Sequence, residues 1–177
     1  MAVILQFTGL SGAGKSTLAM QVLLELSNLG YRVKIIDGDV YRQTLCKDLG
    51  FSKADRIENI CRLGNLANEL SPQFDVIIIA AINPYEEART QLKQRYNAAL
   101  IFVHCELSVL RIRDTKGLYK RADLPNGNEQ KIYSLTGVND IFERPLNADL
   151  TLDTTQSFIS ESVDILIGYV LIRINKN

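Results

Sequence analysis

The sequence has little of several residue types that mark special classes of protein. It contains no tryptophan, one histidine and three cysteines in 177 residues. The cysteines, Cys46, Cys61 and Cys105, are odd in number and far apart, which fits neither a disulfide framework nor a zinc cluster. We therefore expect reduced thiols that are buried or half-buried.

Net charge and long apolar runs are also absent. The 20 lysines and arginines balance the 20 aspartates and glutamates, so no overall field would draw the chain to nucleic acid or to an anionic membrane. The longest apolar stretches, 76–82 and 165–174, are too short to span a bilayer, and the first residues lack the features of a signal peptide. We expect a cytoplasmic protein that binds neither nucleic acid nor membrane.

The length and the hydrophobic content of 46% are sufficient for one domain over residues 1–177. Five apolar runs have the character of strands, and they alternate with stretches of helical period. The predicted strands are 3–9, 31–37, 74–81, 99–105 and 149–154, and the predicted helices are 16–29, 52–70, 84–97, 107–113 and 157–172. This alternation predicts an α/β fold: a doubly wound, mostly parallel five-stranded sheet with helices on both faces.

Local signals predict two helix starts and one long loop. Ser52, with Asp55 three residues later, has the pattern of a helix N-cap. The same reasoning places Asn83 at an N-cap and Pro84 at the first helical position. Residues 115–145 are polar and have no clear period, which is typical of a lid or of a disordered loop, and we place a mobile lid at about 115–137.

The stretch "GLSGAGKST", Gly9–Thr17, fits the P-loop pattern Gly-x-x-x-x-Gly-Lys-Ser between a predicted strand and a predicted helix. The glycines allow backbone N–H groups to turn inward on phosphates at the positive end of the helix. Lys15 can then reach the β- and γ-phosphates, and the Ser16 hydroxyl can ligate Mg²⁺. The sequence therefore predicts a site for a nucleoside triphosphate.

The P-loop alone does not distinguish a switch GTPase, a motor or a small-molecule kinase. The stretch "DTKG" at 114–117 matches the Asp-x-x-Gly of a switch but lies far along the chain, and no Asn-Lys-x-Asp element for guanine is present. A switch GTPase is therefore disfavoured.

An acidic turn, "DGDVYR", follows the second predicted strand. Ligands of open α/β sheets bind at the carboxyl ends of the strands, so Asp37 and Asp39 should face the P-loop across the crevice. They are candidates for accepting the proton of an attacking hydroxyl or for supporting Mg²⁺. Arg42 adds a cation beside them.

The helix that follows carries a second group of polar residues. Arg56 and Asn59 are three residues apart and share one helix face. Together with the aromatic Phe51 they predict a pocket for a planar base and an acidic group.

These stretches resemble the adenylylsulfate kinase family almost end to end. The motifs "GLSGAGKST", "DGD", "DLGFS", "DTKGLYK", "LTG" and "FERP" occur in the family's order and with similar spacing. The resemblance implies a P-loop sheet with a mobile lid, with ATP and Mg²⁺ as cofactors. It implies transfer of the ATP γ-phosphate to the 3′-hydroxyl of adenosine 5′-phosphosulfate (APS), giving PAPS and ADP, and it implies a homodimer because the family is commonly dimeric.

The resemblance also assigns residues to the two substrates. Those assigned to ATP are Gly9, Gly12, Ala13, Gly14, Lys15, Ser16, Thr17 and Arg113, with Ser16 on the metal. Those assigned to APS are Asp37, Asp39, Arg42, Phe51, Arg56, Asn59, Ile82, Asn83, Lys116 and Leu135. Lys15, Asp37 and Asp39 are expected to be catalytic. Two alternatives stay open: a kinase of the same build acting on a related nucleotide with a sulfate- or phosphoramidate-like tail, and a nucleotide-binding regulator.

Overall fold

The computed structural model describes residues 2–175, and its centre is a five-stranded sheet. The strands are β1 (Val3–Thr8), β2 (Val33–Asp37), β3 (Val76–Ala80), β4 (Ala99–His104) and β5 (Leu150–Asp153). Their order is β2-β3-β1-β4-β5, and every neighbouring pair is parallel. The doubly wound α/β prediction is confirmed, and the sheet is parallel throughout rather than mostly parallel.

Seven helices connect and flank the strands in the described part of the chain. They are α1 (Lys15–Asn28), α2 (Gly38–Tyr41), α3 (Lys53–Leu70), α4 (Glu86–Tyr96), α5 (Leu107–Arg113), α6 (Leu118–Ala122) and α7 (Ile159–Ile174). Between residues 2 and 175 no helix is long and apolar enough to cross a bilayer. The short helices α2 and α6 were not predicted, because neither is long enough to show a helical period.

The sheet buries both of its faces, as the continuous apolar run in β3 predicts. Ile77 and Ile79 face α3 and α4, whereas Ile78 faces α1 and α7, because successive side chains of a strand point to opposite faces. Leu63 of α3 and Val22 of α1 are fully buried against the two faces. Each such aliphatic side chain contributes about 1.5–3 kcal/mol by burial, so both helical layers are held mainly by the hydrophobic effect.

Of the two predicted helix starts, one is confirmed and one is wrong. The Ser52 side chain accepts a hydrogen bond from the Asp55 N–H, and the Asp55 carboxylate accepts one from the Ser52 N–H, so α3 begins with a complete capping box. In contrast, α4 begins at Glu86 with Tyr85 as its N-cap. Asn83 lies before the helix, for a reason that its contacts in the site explain below.

The three cysteines are unpaired, with Cys46 and Cys105 buried and Cys61 half-buried, as expected. The 115–137 segment is not a featureless loop, because it contains α6. The N-cap of α6 is Gly117, and the Asp114 carboxylate accepts hydrogen bonds from the backbone N–H groups of Tyr119 and Lys120 in the first turn, at 3.0 Å each.

Two helical glycines give a matched test of the packing. A methyl group at Gly168 in α7 meets no atom within 4 Å, whereas one at Gly64 in α3 would lie 3.0 Å from two atoms of the buried Leu92 side chain. We expect Gly168→Ala to raise the free energy of unfolding by roughly 0.5–1 kcal/mol through helix propensity. We expect Gly64→Ala to lower it, because the buried Leu92 side chain would have to shift within the packing of α3 on α4 to admit the methyl group. Urea unfolding followed by circular dichroism measures both, and a stabilising Gly64→Ala would contradict the packing described here.

Candidate active site

A cleft of about 700 Å³ opens at the carboxyl ends of β1, β2 and β3. The β1–α1 loop forms its floor, α2 and the start of α3 form one wall, and residues from the 115–137 segment form the opposite wall. This is the edge of a parallel sheet at which the strand order reverses and where ligands of such folds bind. The predicted site residues line this cleft except for Gly9, Ala13 and Arg113.

The β1–α1 loop depends on glycine at two points for its course. A methyl group on Gly9 would lie 2.3 Å from the Val103 carbonyl oxygen, so only glycine allows β1 to approach β4 there. Gly14 has a φ of 98°, in the left-handed region that glycine enters without strain. The predicted phosphate-binding turn is therefore present.

Lys15 lies buried under this loop. Its ammonium group donates hydrogen bonds to the carbonyl oxygens of Gly9 and Leu10, each at 2.8 Å. Burial lowers the pKa of Lys15 to about 8, although the carboxylates of Asp39 and Asp37 favour the charged form. Lys15 is thus a cation buried inside the loop, and an anionic ligand beside it would stabilise its charged form.

Asp37 has a defined partner for each of its carboxylate oxygens. Its Oδ2 accepts a hydrogen bond from the Ser16 hydroxyl at 2.8 Å, and its Oδ1 accepts one from the Asp39 N–H at 2.9 Å as the N-cap of α2. The Asp39 carboxylate instead forms an ion pair with Lys116 from the 115–137 segment. The two predicted catalytic carboxylates therefore lie beside the P-loop, and one of them joins opposite walls of the cleft.

The wall near the start of α3 carries one aromatic ring between two cations. Phe51 is 57% exposed, and the guanidinium carbons of Arg42 and Arg56 lie 4.6 Å and 5.4 Å from its ring centroid. Arg42 also donates to the Gly50 carbonyl at 2.8 Å, which fixes its position. An exposed aromatic face bordered by positive charge suits a planar base that carries an acidic group.

Arg56 is the buried link between this wall and the opposite one. Its guanidinium donates to the carbonyl oxygens of Phe51 at 2.9 Å and Ser134 at 2.7 Å, and it forms a 2.9 Å ion pair with Asp140. Neither Ser134 nor Asp140 was predicted from the sequence. They lie in a stretch without periodicity, so no local signal indicates that they contact Arg56, which is 78 residues from Ser134.

Asn83 lies in the cleft but does not cap a helix. Its Nδ2 donates to Gln6 Oε1 at 3.1 Å, and Gln6 is itself held because its Nε2 donates to the backbone carbonyls of Arg89 and Ala98. The backbone of Asn83 has a φ of 45°, whereas Tyr85, the N-cap of α4, has the extended backbone that is typical of a cap, with a φ of −108°. The pattern "INPYEE" fits a cap equally well, but a buried partner on β1 takes the side chain instead.

Three buried side-chain oxygens have no hydrogen-bond partner in residues 2–175: Asn59 Oδ1, Asn83 Oδ1 and Thr136 Oγ1. All three residues line the cleft. Buried polar atoms are rarely left unpaired, because an unpaired one costs about 1–3 kcal/mol. Their concentration at one place is typical of a binding site.

Three predicted residues remain outside this group, namely Gly9, Ala13 and Arg113. Arg113 donates to the Thr154 carbonyl at 2.7 Å and contacts Cys105 Sγ, away from the cleft lining. Ala13 is fully buried beneath the loop. Their assignment to ATP stays a prediction, whereas Leu135, Ile82 and Lys116 do line the cleft.

A parallel α/β sheet, a complete P-loop and carboxylates beside it define a nucleotide-binding protein of the P-loop class. Comparison with known proteins narrows the class. The adenylylsulphate kinase family matches residues 1–153 of the chain. The chain is 41% identical to the adenylyl-sulfate kinase of Microcystis aeruginosa over 162 residues, which cover 91% of this chain and 87% of that one.

Two further comparisons agree. The chain is 43% identical to the adenylyl-sulfate kinase of Bacillus pumilus over 170 residues, which cover 94% of this chain and 84% of the relative. Its fold is similar to that of the Mycobacterium tuberculosis APS kinase in complex with AMPPNP and APS, with a TM-score of 0.86, 34% identity and coverage of 96% and 97%. The chain belongs to the adenylylsulphate kinase family.

The contacts of Asn83 generate a stability prediction. In Asn83→Ala, Gln6 Oε1 loses its donor inside the protein, which costs about 1–3 kcal/mol, and alanine at a left-handed φ costs roughly 1–2 kcal/mol more. Asn83→Gly also loses the hydrogen bond, but glycine adopts a positive φ without strain. Its free energy of unfolding should therefore fall less than that of Asn83→Ala. Urea unfolding of the two variants separates the two contributions, and equal midpoints for Asn83→Ala and the unmodified chain would contradict this account.

Proposed function

We propose that this chain transfers the γ-phosphate of ATP to the 3′-hydroxyl of APS, giving PAPS and ADP. The observation that carries the proposal is that the P-loop, Phe51 and the carboxylates Asp37 and Asp39 all line one cleft. Such an arrangement suits phosphoryl transfer, which depends on holding donor and acceptor in line and on stabilising charge. The similar M. tuberculosis enzyme binds AMPPNP and APS together, which supports this pair of ligands.

The proposed ATP site uses Lys15 and the backbone of the P-loop for the β- and γ-phosphates. The Ser16 hydroxyl and the Asp37 carboxylate, 2.8 Å apart, form an all-oxygen donor set of the kind that Mg²⁺ prefers, so these residues fit the metal. When bound, Mg²⁺ would neutralise charge on the triphosphate. Asp37 holds the Ser16 oxygen in place in either state.

In the proposed acceptor site, Phe51 stacks on the adenine, and Arg42 and Arg56 supply positive charge for the phosphosulfate. Asp39 is the carboxylate better suited to accept the proton of the attacking hydroxyl, because both oxygens of Asp37 already have partners. Lys116 would exchange its contact with Asp39 for the anionic substrate. This exchange frees the carboxylate when the acceptor arrives.

The 115–137 segment acts as the lid in this proposal. Closure over both nucleotides would exclude water from the γ-phosphate and so prevent its hydrolysis.

We also propose that the protein forms a homodimer, because members of the family are commonly dimeric. Sedimentation at micromolar concentration tests this proposal.

The activity prediction concerns the acceptor. We expect Mg²⁺-dependent ADP release with APS and little with AMP, CMP derivatives, shikimate or gluconate, because only APS offers both a base and a sulfated tail. Lys15→Met and Asp37→Asn should each lower the rate by about 10²–10³-fold, since each removes a fixed charge or dipole from the transferring phosphate. Lys47→Met, at an exposed lysine outside the cleft lining, is the matched control.

The panel also separates the alternatives. If a different nucleotide releases ADP faster than APS does, the assignment as a kinase stands and the assignment of APS as the acceptor is wrong. ATP binding without turnover of any acceptor would favour a nucleotide-binding regulator.

The pKa of Lys15 predicts a pH dependence of ATP binding. In the free protein this pKa is about 8, and a neighbouring triphosphate should raise it. Between the two values binding takes up a proton, so affinity should fall as pH rises above about 8. Calorimetry of ATP binding at pH 9 in two buffers of different ionisation enthalpy measures the uptake. Lys15→Arg, which stays charged, should show none, and equal uptake in that variant would refute the assignment to Lys15.

A further inference from the structure

Two carbonyl groups of the P-loop are held by hydroxyls from distant parts of the chain. The Tyr119 hydroxyl, on α6, donates to the Ser11 carbonyl at 2.8 Å. The Thr154 hydroxyl, just after β5, donates to the Ala13 carbonyl at 2.9 Å. Tyr119 and Thr154 are buried and do not line the cleft, so their hydroxyls can affect a ligand there only through the loop backbone.

Each hydroxyl has a proton to donate to its P-loop carbonyl. Thr154 Oγ1 lies 2.9 Å from both the Ala13 and the His104 carbonyls, but it has one proton to give. The His104 carbonyl already accepts the backbone N–H of Thr154 at 2.9 Å, whereas the Ala13 carbonyl has no other donor in residues 2–175, so the hydroxyl proton satisfies an unpaired acceptor only when it is donated to Ala13. Burial raises the pKa of Tyr119 to about 12, so its hydroxyl keeps its proton at neutral pH.

Peptide geometry carries these contacts to the cleft. A trans peptide is planar, and its C=O and N–H point in opposite directions, so holding the Ser11 carbonyl outward turns the Gly12 N–H inward. The Ala13 carbonyl and the Gly14 N–H are related in the same way. Gly12 and Gly14 both line the cleft, and their N–H groups have no hydrogen-bond partner in residues 2–175. These are the donors that a phosphate would use.

We propose that Tyr119 and Thr154 are positioning residues that aim the Gly12 and Gly14 N–H groups at the phosphates of ATP. This inference rests on the proposed function, because it takes the P-loop to hold a triphosphate. It also connects the lid to the P-loop through the Tyr119–Ser11 hydrogen bond. Tyr119 lies within the 115–137 segment, so a displacement of α6 moves the Ser11–Gly12 peptide.

The test uses Tyr119→Phe and Thr154→Val, which remove the hydroxyls and keep the packing. We expect each to weaken ATP binding about 3–10-fold by calorimetry, the range for one hydrogen bond of modest net strength. The KM for ATP should rise while the KM for APS does not. In ¹⁵N spectra with inorganic tripolyphosphate, Tyr119→Phe should reduce the shift of the Gly12 amide, and Thr154→Val that of the Gly14 amide.

Two matched variants distinguish positioning from general loss of structure. Tyr133→Phe makes the same change in the same segment, but its hydroxyl accepts a hydrogen bond from the Gly127 N–H instead of contacting the P-loop. It should bind ATP normally. Thr154→Ser keeps the hydroxyl and should restore both the affinity and the Gly14 shift. Should one of the two test variants not fold, the other decides the question on its own amide.

The outcomes separate this inference from the proposed function. Unchanged ATP affinity and unchanged amide shifts in both folded variants would overturn the positioning role and leave APS phosphorylation standing. If each variant reduces the shift of its own glycine amide but the protein does not phosphorylate APS, the positioning role is supported and the assignment of APS as the acceptor is wrong. A wild-type chain that binds no ATP would overturn both.

Discussion

The site depends on how the P-loop pairs its carbonyl groups. A loop that offers N–H groups to an anion must turn its carbonyls the other way, and carbonyls inside a protein need donors. The Lys15 ammonium supplies them for Gly9 and Leu10, and the hydroxyls of Tyr119 and Thr154 supply them elsewhere in the loop. The same donors that stabilise the fold thereby create the phosphate site, and burial of Lys15 is part of that arrangement.

The segment opposite the P-loop is fastened at three points with different physical character. Lys116 pairs with Asp39 in an exposed ion pair, which high dielectric and side-chain entropy make weak. The contacts of Arg56 with Ser134 and Asp140, and of Tyr119 with Ser11, are largely buried and cost more to break. The Lys116 ion pair should therefore break before the buried contacts of Tyr119 and Arg56 do.

Features that depend on neighbouring residues in the sequence could be predicted, whereas contacts between residues far apart in the sequence could not. The P-loop, the capping box at Ser52 and the apolar strands are local patterns, and all are found in the structure. The contact of Arg56 with Asp140 and the contact of Asn83 with Gln6 join residues more than 70 positions apart. No spacing rule encodes such pairs, so they were missed, and Asn83 was placed at a helix start that its local pattern also fits.

Asn83 also constrains the chemistry under the proposed transfer. Its amide has no hydroxyl to carry a phosphoryl group, one N–H of its Nδ2 is donated to Gln6, and its Oδ1 has no partner in residues 2–175. An acceptor oxygen can orient a substrate hydroxyl or amine but cannot attack phosphorus in place of it. Asn83 therefore offers no covalent route, and under the proposed function we expect the phosphoryl group to pass directly from ATP to the acceptor. Such a loose transfer needs position and charge from the protein more than a covalent intermediate, and Lys15, Asp37 and the paired loop supply both.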